Sequence, residues 1–234
     1  MTVDRRRLGQ IASGAAFLAL CVVAVLVVLS RAESGSGGDT KLEGIALVRK
    51  QLEGVPQHGT VLGDPQAEVR VTEYADLQCP ICRDLSNDVV PDLISKVVRR
   101  NVASYALRQW IVIGDPPHEQ SIAAAKAALA ASEQDRYWNY VELFYRNQGT
   151  EESGYVTNAF LTALARGAGV KDIARWKRQR RDRRWDQLLA HVSIDAHRLG
   201  LGGTPSFVVE GPAGRQVLTA PGFDDIENAI DAVS

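Results

Sequence analysis

The chain has 234 residues, 45% of them hydrophobic, with 27 basic side chains against 28 acidic and three cysteines. Without residues 1–31, which carry four Arg and one Asp, 23 basic and 27 acidic side chains remain, a net of −4. That acidic body argues against a nucleic-acid binder, and a single CxxC as its only cysteine pair excludes a disulfide-stapled scaffold.

In chain order, Arg5-Arg6-Arg7 closes a short tail, residues 1–10, ahead of Ile11 to Leu29, a 19-residue run without charge. Such a run is long enough to cross a bilayer, and the positive cluster keeps the tail cytoplasmic and places everything after Ser30 outside. The expectation is a single-pass anchor over 11–29. A cleaved leader is the rival, since Ser30-Arg31-Ala32 weakly resembles a signal-peptidase site, but the run is longer than an ordinary signal core. Cys21 lies inside it as a small apolar membrane residue, because Leu20 is too bulky to precede a lipidated cysteine.

Residues 30–57 read as a linker, flexible at Ser34-Gly-Ser-Gly-Gly38, with a short amphipathic helix over Lys41–Glu53. Thr60–Pro65 reads as a short strand ending in a turn, and Val69–Ala75 as a full strand. Cys79-Pro-Ile-Cys82 follows, opening a helix whose Leu85, Val89, Val90, Leu93, Ile94, Val97 and Val98 share one broad face. Val102–Ile113 is the next strand, stopped by Gly114-Asp-Pro-Pro117. Residues 118–199 carry helical segments at Glu119–Ser132, Asp135–Arg146, Tyr155–Gly167 and Asp172–Arg198, with Trp138, Val141, Phe144 and Tyr145 as a core stripe. Seven cations crowd into Arg175–Arg184, most simply a solvated helix face over Trp176 and Trp185, with a partner or lipid-headgroup contact as the alternative. A hairpin of Ser206–Glu210 and Arg215–Thr219 and a helix over Asp224–Val233 end the chain. This order describes an α/β sheet interrupted by an α-helical insertion.

The chemistry is concentrated at Cys79 and Cys82. Two cysteines separated by two residues at a helix start lie about one turn apart, close enough to form a disulfide. The first thiol sits near the unsatisfied N–H groups and positive dipole end of the helix, where a thiolate is stabilised. Two other readings stand beside a redox pair. Zinc needs further ligands, and Cys21 with His58, His118, His191 and His197 forms no paired motif, so no metal site is expected. A purely structural disulfide closing so short a loop removes little chain entropy.

Val61-Leu-Gly-Asp-Pro65, the run from Val69 through Cys82, the segment Trp138–Phe144 and Gly202-Gly-Thr-Pro-Ser-Phe-Val-Val209 together resemble the DsbA-like branch of the thioredoxin superfamily, in its membrane-anchored or secreted bacterial members. The resemblance implies a thioredoxin-like α/β domain over 58–234, with a helical insertion about 118–185 and the transmembrane helix in front. It implies a cis bond before Pro205 in a loop packed against Cys79 and Cys82, with Thr204, Pro80 and Ile81 lining the client contact. An ordinary trans turn proline is the alternative there. Glu73 stands where the family often has a buried acid, a proton acceptor for Cys82; a solvated glutamate is the other reading.

The best-known oxidases of this branch carry Pro-His between the cysteines, and here it is Pro-Ile. Ile81 offers neither charge nor side-chain hydrogen bond, so the Cys79 pKa is expected to be less depressed and the disulfide less oxidising. The activity implied is protein thiol–disulfide exchange with exported cysteine-containing proteins at the bacterial cell membrane, as oxidase, without a cofactor. Re-oxidation would fall to a quinone-linked membrane thiol oxidase of the DsbB or vitamin-K-epoxide-reductase type. An isomerase or reductase fed by a membrane electron donor, or a non-catalytic binding module, are the alternatives.

Overall fold

The computed structural model describes residues 41–115 and 118–234. The expected tail 1–10, anchor 11–29, Cys21 and the Ser34–Gly38 linker lie outside those residues. Among the described residues no helix is long and apolar enough to cross a membrane.

Helix α1 (Ile45–Leu52) buries Val48 and Leu52 and leads to two short strands, β1 (Gln57–His58) and β2 (Val61–Leu62). Strand β3 (Arg70–Ala75) is followed by the CxxC helix α2 (Pro80–Asp88), a short α3 (Val90–Asp92) and strand β4 (Ser104–Gln109). Helices α4 (Glu119–Ser132), α5 (Tyr137–Arg146), α6 (Asn158–Gly167), α7 (Ile173–Gln179) and α8 (Arg184–Arg198) fill the interval before β5 (Ser206–Gly211). Strand β6 (Gly214–Thr219) and helix α9 (Phe223–Val233) complete the chain.

The six strands form one sheet in the order β1-β2-β4-β3-β5-β6. β3 and β4 run parallel, Arg70 opposite Ser104, joined by the crossover that carries α2. β5 returns antiparallel to β3, with Glu73 opposite Phe207 and Tyr74 opposite Ser206. Alternation along β3 sends Val71, Glu73 and Ala75 to one face and Thr72 and Tyr74 to the other. On the first face Val71, Tyr105, Leu107, Phe207 and Val209 join the main core with Leu85, Leu93, Trp138 and Phe144. On the second, Tyr74 and Val208 meet Val192 and Ala196 of α8 in a smaller cluster. Gly211 lets α9 close onto the sheet, because a Cβ there would lie 2.4 Å from the Val233 carbonyl oxygen.

Three expected elements differ. The helical segment after Cys82 is not continuous: Pro91 has no N–H to donate back to Asn87, and α2 gives way to α3, a π turn at Leu93–Val97 and a 3-10 turn at Val98–Arg100. The strand expected over Val102–Ile113 ends at Gln109. Beyond it, Val112 N–H and Ile113 N–H donate to the Asp76 carboxylate, at 2.9 and 3.0 Å, so a side chain replaces the neighbouring strand. The helix expected over Asp172–Arg198 is two helices. In one continuous helix Trp176 and Trp185, nine residues apart, would point in opposite directions. Both are buried, and the break lets the Trp185 indole donate to Gln179 O at 2.8 Å while Asp182 takes the Arg184 N–H at 3.0 Å.

The basic segment follows from the same break. Arg180 lies over the Trp176 ring at 5.2 Å and Arg184 over the Trp185 ring at 4.0 Å, while Arg175, Lys177, Arg178, Arg181 and Arg183 are exposed. Two cations cover the buried aromatics and the others face solvent.

Candidate active site

The turn from β3 into α2 is pinned from three sides. Asp76 accepts from Gln78 N–H at 2.9 Å as well as from Val112 and Ile113. Gln148, in the loop after α5, donates to the carbonyls of Leu77 and Cys79 at 2.7 and 3.1 Å. Gln78 reaches Ser121 of α4 at 3.0 Å and Glu152 at 3.3 Å. The helical segments between β4 and β5 thus hold the thiol-bearing turn as firmly as the sheet does.

Cys79 is the N-cap of α2, and its sulfur accepts from Cys82 N–H at 3.4 Å. Pro80 at the first helical position has no N–H to satisfy. Both cysteines are free thiols and both are buried, with 3% of Cys79 and none of Cys82 reachable by solvent. Its surroundings, not its exposure, set Cys79 apart from Cys82. The neighbouring Ile81 is 56% exposed.

Across the site, the Thr204–Pro205 peptide bond is cis, as the resemblance implied. Thr204 O accepts from the Cys79 thiol at 3.5 Å. Pro205 is buried at the start of β5.

The two thiols are driven in opposite directions. Cys79 is pushed down from 9.0 to about 6, first by a hydrogen bond from the Cys82 thiol, then by Thr204 and the N–H groups of Cys82 and Ile81, against burial. Cys82 is pushed well above its ordinary value by burial first, and then by Cys79 and Glu73. The Ile81 side chain offers no charge, and the lowering comes from the Cys82 thiol, Thr204 and backbone N–H groups.

Glu73 is 1% exposed on the inward face of β3, which removes the solvated reading. The Tyr105 hydroxyl donates to its Oε2, and its Oε1 is buried without a partner. Burial raises it from 4.5 to about 8, against the Tyr105 hydrogen bond. A second buried acid was not singled out in the sequence: Glu142 of α5, also 1% exposed and raised by burial to about 7. Its signal was an acid four residues after Trp138, within a stripe otherwise apolar. Asp76 and Gln148 were missed too, and neither carries a pattern that marks it. Among the described residues no group of three or more His, Cys, Asp or Glu is arranged to hold a metal ion.

This arrangement suits thiol–disulfide exchange: a low-pKa thiol three residues from a proton-retaining one, beside a buried carboxyl. Residues 56–232 match the family model described as Thioredoxin. The chain is 26% identical to "Probable disulfide bond formation protein D" of Bacillus cereus over 73% of its own length and 76% of that protein. Among solved structures it is similar to oxidised BdbD from Bacillus subtilis, TM-score 0.64 at 21% identity, covering 76% of this chain and 95% of that one. A thioredoxin-like oxidoreductase from Silicibacter pomeroyi matches with TM-score 0.60 at 27% identity, over 73% of this chain and 89% of the other. The match across most of its length, together with the thiol pair and cis-proline loop that fill it, makes this chain a DsbA-like member of the thioredoxin superfamily and a protein disulfide oxidoreductase.

Proposed function

We propose that the chain oxidises exported proteins by passing them a Cys79–Cys82 disulfide. A client thiolate attacks Cys79 Sγ, the Cys79–Cys82 bond breaks, and Cys82 leaves as a thiolate that takes a proton from Glu73. A second client thiolate then attacks the client sulfur of the mixed disulfide, and Cys79 leaves as a thiolate. Two electrons have moved from client to enzyme, and a client disulfide has formed.

The observation that carries this reading is the opposite shift of two thiols three residues apart, Cys79 to about 6 and Cys82 well above its usual value. A stabilised Cys79 thiolate favours the reduced enzyme and so makes its disulfide the stronger oxidant. Glu73, raised to about 8, is mostly protonated at neutral pH. It is therefore set to donate to departing Cys82, and its carboxylate is the acceptor when Cys82 in the reverse step attacks a mixed disulfide. The name carried by the relatives, disulfide bond formation protein, supports the oxidase over the isomerase or reductase.

Clients would lie over Ile81, Pro80, Thr204 and Pro205, where Ile81 offers an exposed apolar surface beside the thiol. The uncharged run Ile11–Leu29 behind Arg5–Arg7 supports a domain held outside the bacterial cell membrane by a single pass. Re-oxidation by a quinone-linked thiol oxidase of the DsbB or vitamin-K-epoxide-reductase type fits that location. Expressing Cys82→Ser in cells tests the reading. Mixed disulfides with exported proteins should accumulate and vanish when Cys79 is also replaced; their absence, or a cellular role that survives loss of both cysteines, would leave a binding module instead.

A further inference from the structure

Glu142 takes no part in the cycle just described, yet it is held like a working group. Both carboxylate oxygens accept from neutral donors only: Oε1 from Ser86 Oγ and Oε2 from Gln51 Nε2, each at 3.2 Å. Among the described residues it forms no ion pair, although Arg146, one turn along α5, draws its pKa down against burial. A buried carboxylate held only by uncharged donors is stabilised less than an ion-paired one, so its ionised form stays unfavourable.

Its neighbours tie it to the exchange site twice. Ser86 lies one turn beyond Cys82 on the same buried face of α2. Trp138, one turn before Glu142 on α5, packs its ring 4.6 Å from that of Tyr105, the residue whose hydroxyl holds Glu73. The α5 face bearing Trp138 and Glu142 therefore lies over the β3–β4 surface bearing Glu73 and Tyr105. The groups that face Glu142 are Ser86 of α2, Gln51 of α1 and Arg146 of its own helix, and Trp138 sets the same α5 face over Tyr105, whose hydroxyl holds Glu73.

From this juxtaposition we infer that Glu142 is a positioning residue for disulfide exchange: it forms with Glu73 a buried acid pair that holds one negative charge, and so keeps the proton destined for Cys82 on Glu73. The inference rests on the proposed exchange cycle. Two carboxyls in one water-poor core disfavour double ionisation, and their protons come off in steps that belong to the pair. Before the client attacks, the charge resides on Glu142 and Glu73 is neutral. When Cys82 departs as a thiolate it takes the Glu73 proton, Glu73 becomes the carboxylate, and Glu142 takes up one proton from solvent. One proton enters, the Cys82 thiol forms, and the pair still carries one charge.

The test uses the full chain. The oxidised protein is mixed with a dithiol peptide, and the single-turnover rate of its reduction is followed from pH 5 to 9 for the wild type, Glu142→Gln and Glu142→Asp; separately, reduced Cys82→Ser is mixed with a disulfide-bonded peptide. Glu142→Gln keeps the shape but not the charge. Its profile should lose one inflection, and the remaining Glu73 step should move to lower pH, while Glu142→Asp restores two steps. A Glu142→Gln profile with the wild-type inflections, scaled uniformly or not at all, would overturn the inference, since a purely structural role moves the rate and not the inflection. Should Glu142→Gln fail to fold, carboxyl carbon NMR on the wild-type chain decides: steps at Glu73 and Glu142 that each perturb the other support the pair, and independent steps refute it. Failure of Cys82→Ser to hold the peptide in a mixed disulfide on Cys79 would overturn the underlying cycle instead, which keeps the two failures apart.

Discussion

The mouth and the floor of the exchange site are built from opposite materials. At the mouth, Cys79 meets the Cys82 thiol and the N–H groups of Cys82 and of the exposed Ile81, and it is driven down to about 6. On the floor, three residues on in sequence, Cys82 lies buried beside Glu73 and Tyr145, and each of these groups is driven toward its neutral form. The fold thus drives one thiol of the pair toward its charged form and the other toward its neutral form. A helix N-terminus alone would favour charge at the mouth; the buried acids beneath add the opposite bias below.

Breaking the floor should have the largest effect. Glu73→Gln removes the proton donor for Cys82 while keeping shape, and the rate at which a client reduces the oxidised enzyme at pH 7 should fall by roughly 10²-fold, the usual scale for a general acid. A stopped-flow measurement with an unchanged rate would remove Glu73 from the cycle. The Cys79 midpoint should hardly move in the same variant, because Glu73, raised to about 8, is still neutral while Cys79 titrates near 6.

The mouth is read through the pH dependence of the reduction potential. The folded Cys79 pKa lies below its unfolded value of 9.0, so the reduced form gains stability as pH rises through about 6. Below that point reduction takes up two protons with two electrons, and the potential should fall by about 60 mV per pH unit; above it one proton is taken up and the slope should halve to about 30 mV. Equilibration against glutathione gives the curve. A single steep slope through pH 8 would mean that Cys79 is not a thiolate there.

The smallest change sharpens the mouth alone. Ile81→His adds a donor or charge beside the Cys79 sulfur and should lower its pKa and raise the potential together. Because position 81 is 56% exposed and its charge is screened, the rise should be on the order of 30 mV. If neither quantity moves, the dipeptide between the cysteines does not tune this site.

Much of this was legible in the sequence because it is local. The alternation of Val69–Ala75, the Pro after Cys79 and the hairpin around Gly211–Gly214 each declare themselves within a few residues, and Glu119–Ser132 was read with its observed bounds. What escaped depends on partners far along the chain. Strand β4 stops where Asp76 captures the amides of Val112 and Ile113, across 36 and 37 residues. Cys79 owes part of its shift to Thr204, 125 residues away, which no inspection of Pro-Ile could supply. Burial of Glu73 and Glu142 is likewise a property of the packed sheet and α5, invisible in residue type alone. Pro91 was in plain view, and the apolar pattern around it outweighed what its missing N–H implies.

The most direct test of the divided couple is a pH titration of the reduced protein, following thiolate absorbance in the wild type and in Cys79→Ser. One thiolate should appear with a midpoint near 6, no second should follow below pH 9, and the step should vanish in Cys79→Ser. Two thiolates titrating together, or a single step near 9, would contradict the account.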